Sequence, residues 1–329
     1  MAKRTYPVRA PGSDRSPVEI LRDIERFTSA SFTKARVLLQ RFAKHDHATV
    51  LLEGEIGTGK TLLARLMHAL SPRADKPFQQ VVLATLDDSL AGSELFGHVA
   101  GAYTDARMSR AGAFAAANNG TLLLDEIAKA TLGVQQRLLH AIEYGEIRPI
   151  GTDRDVHVDV RVIAATNQPL DQLVGLGAFL PDLFARLMHL RIRLPPLRER
   201  RADIPELAKQ CVADLAKISK APTVPDLDPM LVEALQKAPW PYNLRQLNGT
   251  IQRLLIESEG ADVITFEHCR DDLLWLRQLG ELPREITAEA VGDAIQQAGS
   301  ISGAARLLGV HRTTVQRHRR RLGDDIAAN

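Results

Sequence analysis

The sequence predicts a mostly parallel α/β sheet flanked by helices, followed by a region built from helices alone. Three observations carry this expectation. Gly54-Glu55-Ile56-Gly57-Thr58-Gly59-Lys60-Thr61 reads G-x-x-x-x-G-K-T, set between an apolar run at Ala48 to Leu52 and a segment with apolar residues at helical spacing, Thr61 to His68. Apolar strands and helical patterns then alternate to about residue 195. After Pro195-Pro196 only helical patterns follow.

Composition bounds the answer. The 329 residues leave room for two or three domains, and 45% hydrophobic with 25% charged residues is ordinary for a soluble globular chain. No run approaches the roughly 18 apolar residues of a membrane span, and the N-terminus lacks a signal-peptide apolar core. A cytoplasmic protein with no membrane partner is therefore expected. Cys211 and Cys269 belong to no C-x-x-C pair and read as buried thiols rather than metal ligands. The net charge of +2 is nearly balanced, but positive charge collects at the C-terminus.

Taken in order, residues 1–25 contain Pro7, Pro11, Gly12, Ser13, Ser16 and Pro17 and read as a flexible extension leading into a helix near Pro17 to Phe27. A second helix is expected at about Thr33 to Lys44. The glycine loop comes next. Its glycines let backbone N–H groups wrap a phosphate chain at a helix N-terminus, whose dipole favours negative charge. Lys60 would reach the β- and γ-phosphates, and the Thr61 hydroxyl would sit on Mg²⁺.

Gly120 to Glu126 is an apolar strand ending in two acids. Asp125 is placed to hold Mg²⁺ through water, and Glu126 to orient or deprotonate an attacking water. A third buried run, Val160 to Asn167, ends in a polar pair. Asn167 there would contact the γ-phosphate or the water, or else cap the following turn.

Beyond Pro196, Asp203 to Lys217 is amphipathic, Asp228-Pro229 pairs a cap with proline at the first helical position, and Asn243 is placed to cap a helix through about Glu257. A connector with Gly280 and Pro283 precedes a helix at Thr287 to Ala298, a second at Ile301 to Leu308, a turn at Gly309-Val310, and a last helix at about Arg312 to Leu322. This is helix-turn-helix spacing, and double-stranded DNA is the expected partner. Arg312, Thr313, Thr314 and Gln316 would face base edges, with Arg317, Arg319, Arg320 and Arg321 on phosphates.

The phosphate loop, Glu94-Leu95-Phe96-Gly97-His98, Leu124-Asp125-Glu126, Asp159 to Asn167, Leu194 to Arg200 and Trp240-Pro241 stand in an order that resembles the AAA+ domain of sigma-54-dependent transcriptional activators, the bacterial enhancer-binding proteins. The resemblance runs from about residue 26 to the C-terminus. It implies an α/β AAA+ P-loop ATPase domain over 26–197, a helical lid over 198–275, a linker over 276–286 and a Fis-type all-α helix-turn-helix domain over 287–329.

By the same resemblance, ATP and Mg²⁺ are the expected cofactors, Asp125 and Glu126 the catalytic acids, Asn167 a first sensor and Arg245 a second sensor in the lid. Arg186 matches an arginine finger reaching a neighbouring subunit, which implies a homo-oligomeric, usually hexameric, ring. A guanidinium suits that role because its charge is permanent and its donors form a rigid fork. The segment Gly101-Ala102-Tyr103-Thr104-Asp105-Ala106 matches the loop that touches sigma-54 RNA polymerase holoenzyme, normally Gly-Ala-Phe-Thr-Gly-Ala.

The sequence also departs from the family pattern. A second arginine finger falls on Leu180, an asparagine that restrains the catalytic glutamate falls on Val82, and Asp105 replaces a loop glycine. The implied function is ATP-driven remodelling of sigma-54 polymerase by a DNA-bound ring. The alternatives are an AAA+ regulator with a different partner, or a nucleotide-responsive DNA-binding regulator with little hydrolysis. No receiver or ligand-sensing segment is read in the sequence, so control is expected from a separate regulatory protein, from abundance, or from nothing.

Overall fold

The computed structural model describes residues 16–85, 88–102, 108–219, 221, 223–258, 260–269, 273, 275–276, 288–308, 312 and 315–316. The chain divides into an α/β unit, Arg15–Glu199, and a mainly helical unit from Arg200 onward.

The α/β unit opens with α1 (Pro17–Glu25), started by a capping box in which the Ser16 hydroxyl accepts from the Glu19 N–H and the Glu19 carboxylate accepts from the Ser16 N–H. Ile20 and Ile24, one turn apart, are buried, so this helix lies against the unit although it falls within the stretch expected as an extension. Next come α2 (Ala30–Ala43), β1 (Val50–Glu53), α3 (Lys60–Ala69), β2 (Phe78–Val82), α4 (Asp88–Phe96), α5 (Ala113–Ala116) and β3 (Thr121–Asp125). The rest of the unit is α6 (Leu132–Tyr144), β4 (Glu146–Ile147), β5 (Val156–His157), β6 (Arg161–Thr166), α7 (Leu170–Gly175), α8 (Pro181–Leu187) and β7 (Leu190–Arg193).

Five strands form one sheet in the order β2-β3-β6-β1-β7, and every pairing in it is parallel. Such a sheet is covered on both faces, which is why its central strands read as unbroken apolar runs. All of β1 and β6 is buried, and Leu122, Leu123 and Leu124 of β3 are fully excluded from water. Each such leucine stabilises the fold by about 2 kcal/mol. On one face Leu51, Leu122, Leu124, Val162 and Ala164 meet Phe96, Phe114, Val134, Leu138 and Leu183 in a single core. There Phe96 and Phe114 stack with centroids 5.6 Å apart.

Two arginines tie the far end of the sheet. Arg161 is 1% exposed and donates to the Phe42 and Ala43 carbonyls at the end of α2, where a cation offsets the helix dipole. Burial lowers its pKa to about 10, opposed by nearby Asp46. Arg73 donates to the carboxylates of Asp46 and Asp159 and to the carbonyls of Gly120 and Asp159, so the starts of β3 and β6 are held by one side chain.

The helical unit contains α9 (Ile204–Ile218), β8 (Asp226–Leu227), α10 (Pro229–Lys237), α11 (Asn243–Glu257), β9 (Val263–Ile264), α12 (Ala288–Ala298) and α13 (Ile301–Leu308). Asp228 caps α10 through the Met230 N–H, as its position before Pro229 predicts. Asn243 departs from expectation. It is the first residue of α11 rather than its cap, is fully buried, and has φ 51°; Tyr242 occupies the cap position and its N–H is satisfied by the Gln246 side chain. Trp240 just before it also has a positive φ, 45°, held because its ring is fully buried, donates to the Leu235 carbonyl at 2.7 Å and meets Trp275 edge-on.

Cys211 and Cys269 are both buried, as expected. Helices α12 and α13 turn about Gly299, φ 67°, and pack through Val291, Ala294, Ala304 and Ala305 with Val315. The expected last helix lies outside the described residues apart from Arg312, Val315 and Gln316.

His68 gives a pH test of the packing. Burial, then the charge of Arg161, lowers its pKa, and its Nδ1 lies 2.9 Å from the Thr121 hydroxyl. The unfolded chain therefore binds a proton that the folded chain resists, and stability falls as pH drops through the unfolded value near 6.5. Melting curves at pH 7.5 and 5.5 are expected to show a smaller acid-induced drop in Tm for His68→Gln than for the parent chain.

Candidate nucleotide-binding site

The order of the sheet places β3, β6 and β1 side by side, so the residues at their carboxyl ends converge although they lie more than a hundred positions apart in the chain. In open α/β folds ligands bind at this edge. The loop from Gly54 to Gly59 leaves β1 and enters α3 at Lys60, with Gly57 at φ 77° and Gly59 at φ 101°. Both lie in the left-handed region that glycine adopts without steric cost. A Cβ on Gly54 would stand 2.9 Å from the Thr58 hydroxyl and 3.0 Å from the Leu194 carbonyl, so the loop leaves room for backbone only.

Lys60 is buried at the start of α3, and its ammonium donates to the carbonyls of Gly54 at 2.7 Å and Glu55 at 3.1 Å. The cation is thereby held over the hollow of its own loop. Glu55 is matched by Arg198 in a two-pronged ion pair, with Nη1 to Oε2 at 2.7 Å. That pairing offsets the one acidic side chain of the loop and raises the Arg198 pKa.

Asp125 ends β3 facing the loop. Its Oδ2 accepts from the Thr61 hydroxyl at 3.1 Å and from Gln80 Nε2 at 3.4 Å, and its Oδ1 accepts from the Glu126 N–H at 3.1 Å. The hydroxyl and carboxylate form the hard oxygen donor set that suits Mg²⁺. Glu126 has φ 57°, a left-handed conformation uncommon for a side chain of this kind and one found where a fold constrains a functional residue. Asn167 follows β6, and its Oδ1 is buried with no hydrogen-bond partner. A buried acceptor of this kind is satisfied by a water or ligand proton. The glycine cradle, the Lys60 ammonium, the Thr61 and Asp125 oxygens and the orphaned Asn167 oxygen together fit a magnesium nucleoside triphosphate.

Val82 pairs with Asp125 across β2 and β3, so the position that departs from the family pattern is at the site. Leu180 is the cap residue of α8, donates its N–H to the Gln135 side-chain oxygen at 2.8 Å, and packs against the core. Arg186, near the end of α8, is ion-paired with Glu143 of α6 and remains about half exposed. Arg245 is in the first turn of α11 in the helical unit.

Of the expected sigma-contact segment, Gly101 and Ala102 are described, while Tyr103, Thr104, Asp105 and Ala106 lie outside the described residues. Its base is closed. His98 and Arg110 exchange backbone hydrogen bonds, and the His98 ring bridges the Ser93 hydroxyl at 2.8 Å and the Met108 carbonyl at 3.0 Å. Gly97 is required there, because a Cβ would stand 2.5 Å from the Arg110 carbonyl. Of the expected DNA-contacting residues, Arg312 is exposed and Gln316 half-buried; Thr313, Thr314, Arg317, Arg319, Arg320 and Arg321 lie outside the described residues.

Residues 26–193 match the Sigma-54 interaction domain family, and residues 198–287 match the AAA+ ATPase lid domain. The chain belongs to the family of sigma-54-dependent activators. It is 43% identical over 220 residues to the regulatory protein AtoC of Escherichia coli, covering 67% of this chain and 48% of that protein. It is 40% identical over 285 residues to a Nif-specific regulatory protein of Azotobacter vinelandii, covering 83% and 53%. The chain thus spans about half the length of the curated relatives it matches. Among solved structures, NtrX of Brucella abortus in complex with ATP is similar with a TM-score of 0.67 at 30% identity, over 93% of this chain and 71% of that one.

For this sigma-54-activator chain, the sequence motifs mark the loop and the strand tips but give no role to three residues that complete them. Gln80 reaches Asp125 from β2, with its own oxygen held by Arg65 at 3.2 Å. Arg198 neutralises Glu55, and His98 closes the loop base. Arg198 and His98 stand within quoted motifs, whereas Gln80 in Phe78 to Val82 carries no signal beyond a polar residue in a strand.

Lys60→Ala is expected to weaken binding of a fluorescent ATP analogue by about 10- to 100-fold, the worth of one or two charge-assisted hydrogen bonds. An unchanged affinity in that titration would separate the loop from phosphate binding.

Proposed function

We propose that this chain is a DNA-bound, ring-forming ATPase that activates transcription by remodelling sigma-54 RNA polymerase holoenzyme. The observation that carries the reading is the convergence of Lys60, Thr61, Asp125, Glu126 and Asn167 at adjacent strand tips. In this reading the loop N–H groups and Lys60 hold the phosphates. Mg²⁺ held by Thr61 and Asp125 would supply neutralisation of charge on the β- and γ-oxygens.

Glu126 receives the proton of the attacking water, and Asn167 Oδ1 accepts its second hydrogen bond and so fixes its line of approach. Arg186 exchanges Glu143 for the triphosphate of a neighbouring subunit, which makes turnover depend on assembly. Arg245 reports nucleotide to the lid. The stalk closed by His98 then carries the change to Tyr103 and Thr104.

A second reading is a nucleotide-responsive DNA-binding regulator with little hydrolysis. Val82 beside Asp125 and the core-packed Leu180 favour it, since neither supplies a polar group to the phosphates. Steady-state ATP hydrolysis over a concentration series separates the two. The ring ATPase requires activity per subunit to rise with concentration and to fall by about 1,000-fold or more in Arg186→Ala, the scale of an arginine finger. Nucleotide binding without hydrolysis at every concentration selects the regulator.

Glu126→Gln is expected to retain ATP binding while losing turnover and promoter output together; unchanged output would exclude a hydrolysis-driven mechanism. On the DNA side, Arg317→Ala is expected to weaken binding and to reduce the slope of log K against log salt by about one, as loss of one phosphate contact requires.

A further inference from the structure

Away from the strand tips, α6 is joined to the β4–β5 hairpin by a tight turn at Gly145, φ 67°. Three side chains of different elements meet there. His140 comes from α6, Glu146 opens β4, and Asp155 immediately precedes β5; one ligand atom from each lies within 4.8 Å of the others. Among the described residues this is the one group of three or more histidine, cysteine or acidic side chains so placed.

The His140 Nε2 is buried with no hydrogen-bond partner, a cost that a ligand at this nitrogen would offset. Its ring is positioned by Tyr144, 5.0 Å away. Asp155 is held from behind by Arg148, whose Nε and Nη2 reach its two oxygens at 2.8 and 2.9 Å. Arg148 uses one lone pair on each oxygen and leaves the others for a further ligand, the arrangement by which outer groups orient a metal-binding carboxylate. The cluster borders an open cavity of about 510 Å³ that also includes Gln136, Arg137 and Thr152.

We propose that His140, Glu146 and Asp155 bind one divalent transition-metal ion, of which Zn²⁺ is the best match, and that the ion pins the β4–β5 hairpin to α6. One imidazole and two carboxylates are ligands of Zn²⁺, whereas Mg²⁺ takes oxygen alone. Tetrahedral Zn²⁺ ligands sit about 3.4 Å apart, so binding draws the three groups together by at most about 1.4 Å. The exposed Asp155 side chain and the glutamate at the hairpin's start supply that movement.

The consequence reaches the sigma-contact segment. The Ile150 carbonyl of the hairpin accepts from the Val99 N–H, the Ile150 N–H donates to the Gly97 carbonyl, and a Cβ on Gly151 would stand 2.6 Å from that of Ala102. Fixing the hairpin therefore fixes one wall of the loop base.

The test is calorimetric titration of the full chain with Zn²⁺ in millimolar Mg²⁺, with His140→Ala and Asp155→Asn alongside and amide exchange measured over residues 145–158. The expected result is one Zn²⁺ per chain, affinity reduced about 100-fold in His140→Ala and at least about 10-fold in Asp155→Asn, and slower hairpin exchange only in the parent with Zn²⁺. Asp155 is exposed, so its variant keeps the test sound if His140→Ala does not fold. Absence of binding up to millimolar Zn²⁺, affinity unchanged by Asp155→Asn, or hairpin exchange unaffected by bound Zn²⁺ would each overturn the proposal.

Discussion

Parallel pairing of β6 with both β1 and β3 is the constraint on which the rest of this protein depends. Register matches Glu53 with Thr166 on one side and Leu124 with Ala164 on the other, so the three chains leave the sheet at nearly one level. The phosphate loop, the acidic pair and Asn167 are carried there by strands that have no freedom to slide, because a one-residue slip would invert every buried side chain. Arg73 and Arg161 secure the opposite ends of the same strands. The site is accurate because the sheet beneath it is dry, apolar and pinned.

The polar groups at the tips form a set that is satisfied in part by itself and in part by what it would bind. Lys60 rests on loop carbonyls and Thr61 on Asp125, whereas the Asn167 oxygen is left without a partner. Glu126 is held in a left-handed conformation between them. Stored strain and an unsatisfied acceptor are costs of folding that a ligand can offset. Of the two departures from the family pattern, Val82 borders this set through its pairing with Asp125, whereas Leu180 caps α8 and packs against the core.

The base of the segment after His98 is closed by short, tight connections. His98 joins both stems of the loop, and the β4–β5 hairpin lies against its base through Ile150 and Gly151. Glycines at 97 and 151 permit this close approach, and a metal bridge at the root of the hairpin would act on the same structure from the side.

Much of this was legible in the sequence because it rests on local chemistry. The glycine loop, the apolar strands ending in Asp125 and Asn167, the Asp228-Pro229 helix start and the change to helices after Pro196 are each written in a few adjacent residues, where dihedral preference and burial act directly. Asn243 reads locally as a cap, but it is the fully buried, left-handed first residue of its helix, next to the buried Trp240, and no local pattern reveals that burial. Strand order, the reach of Gln80 to Asp125, the pairing of Arg198 with Glu55 and the meeting of His140 with Glu146 and Asp155 were decided only by tertiary structure. Those contacts join residues through space, and their energies exist only after the core has fixed which elements are neighbours.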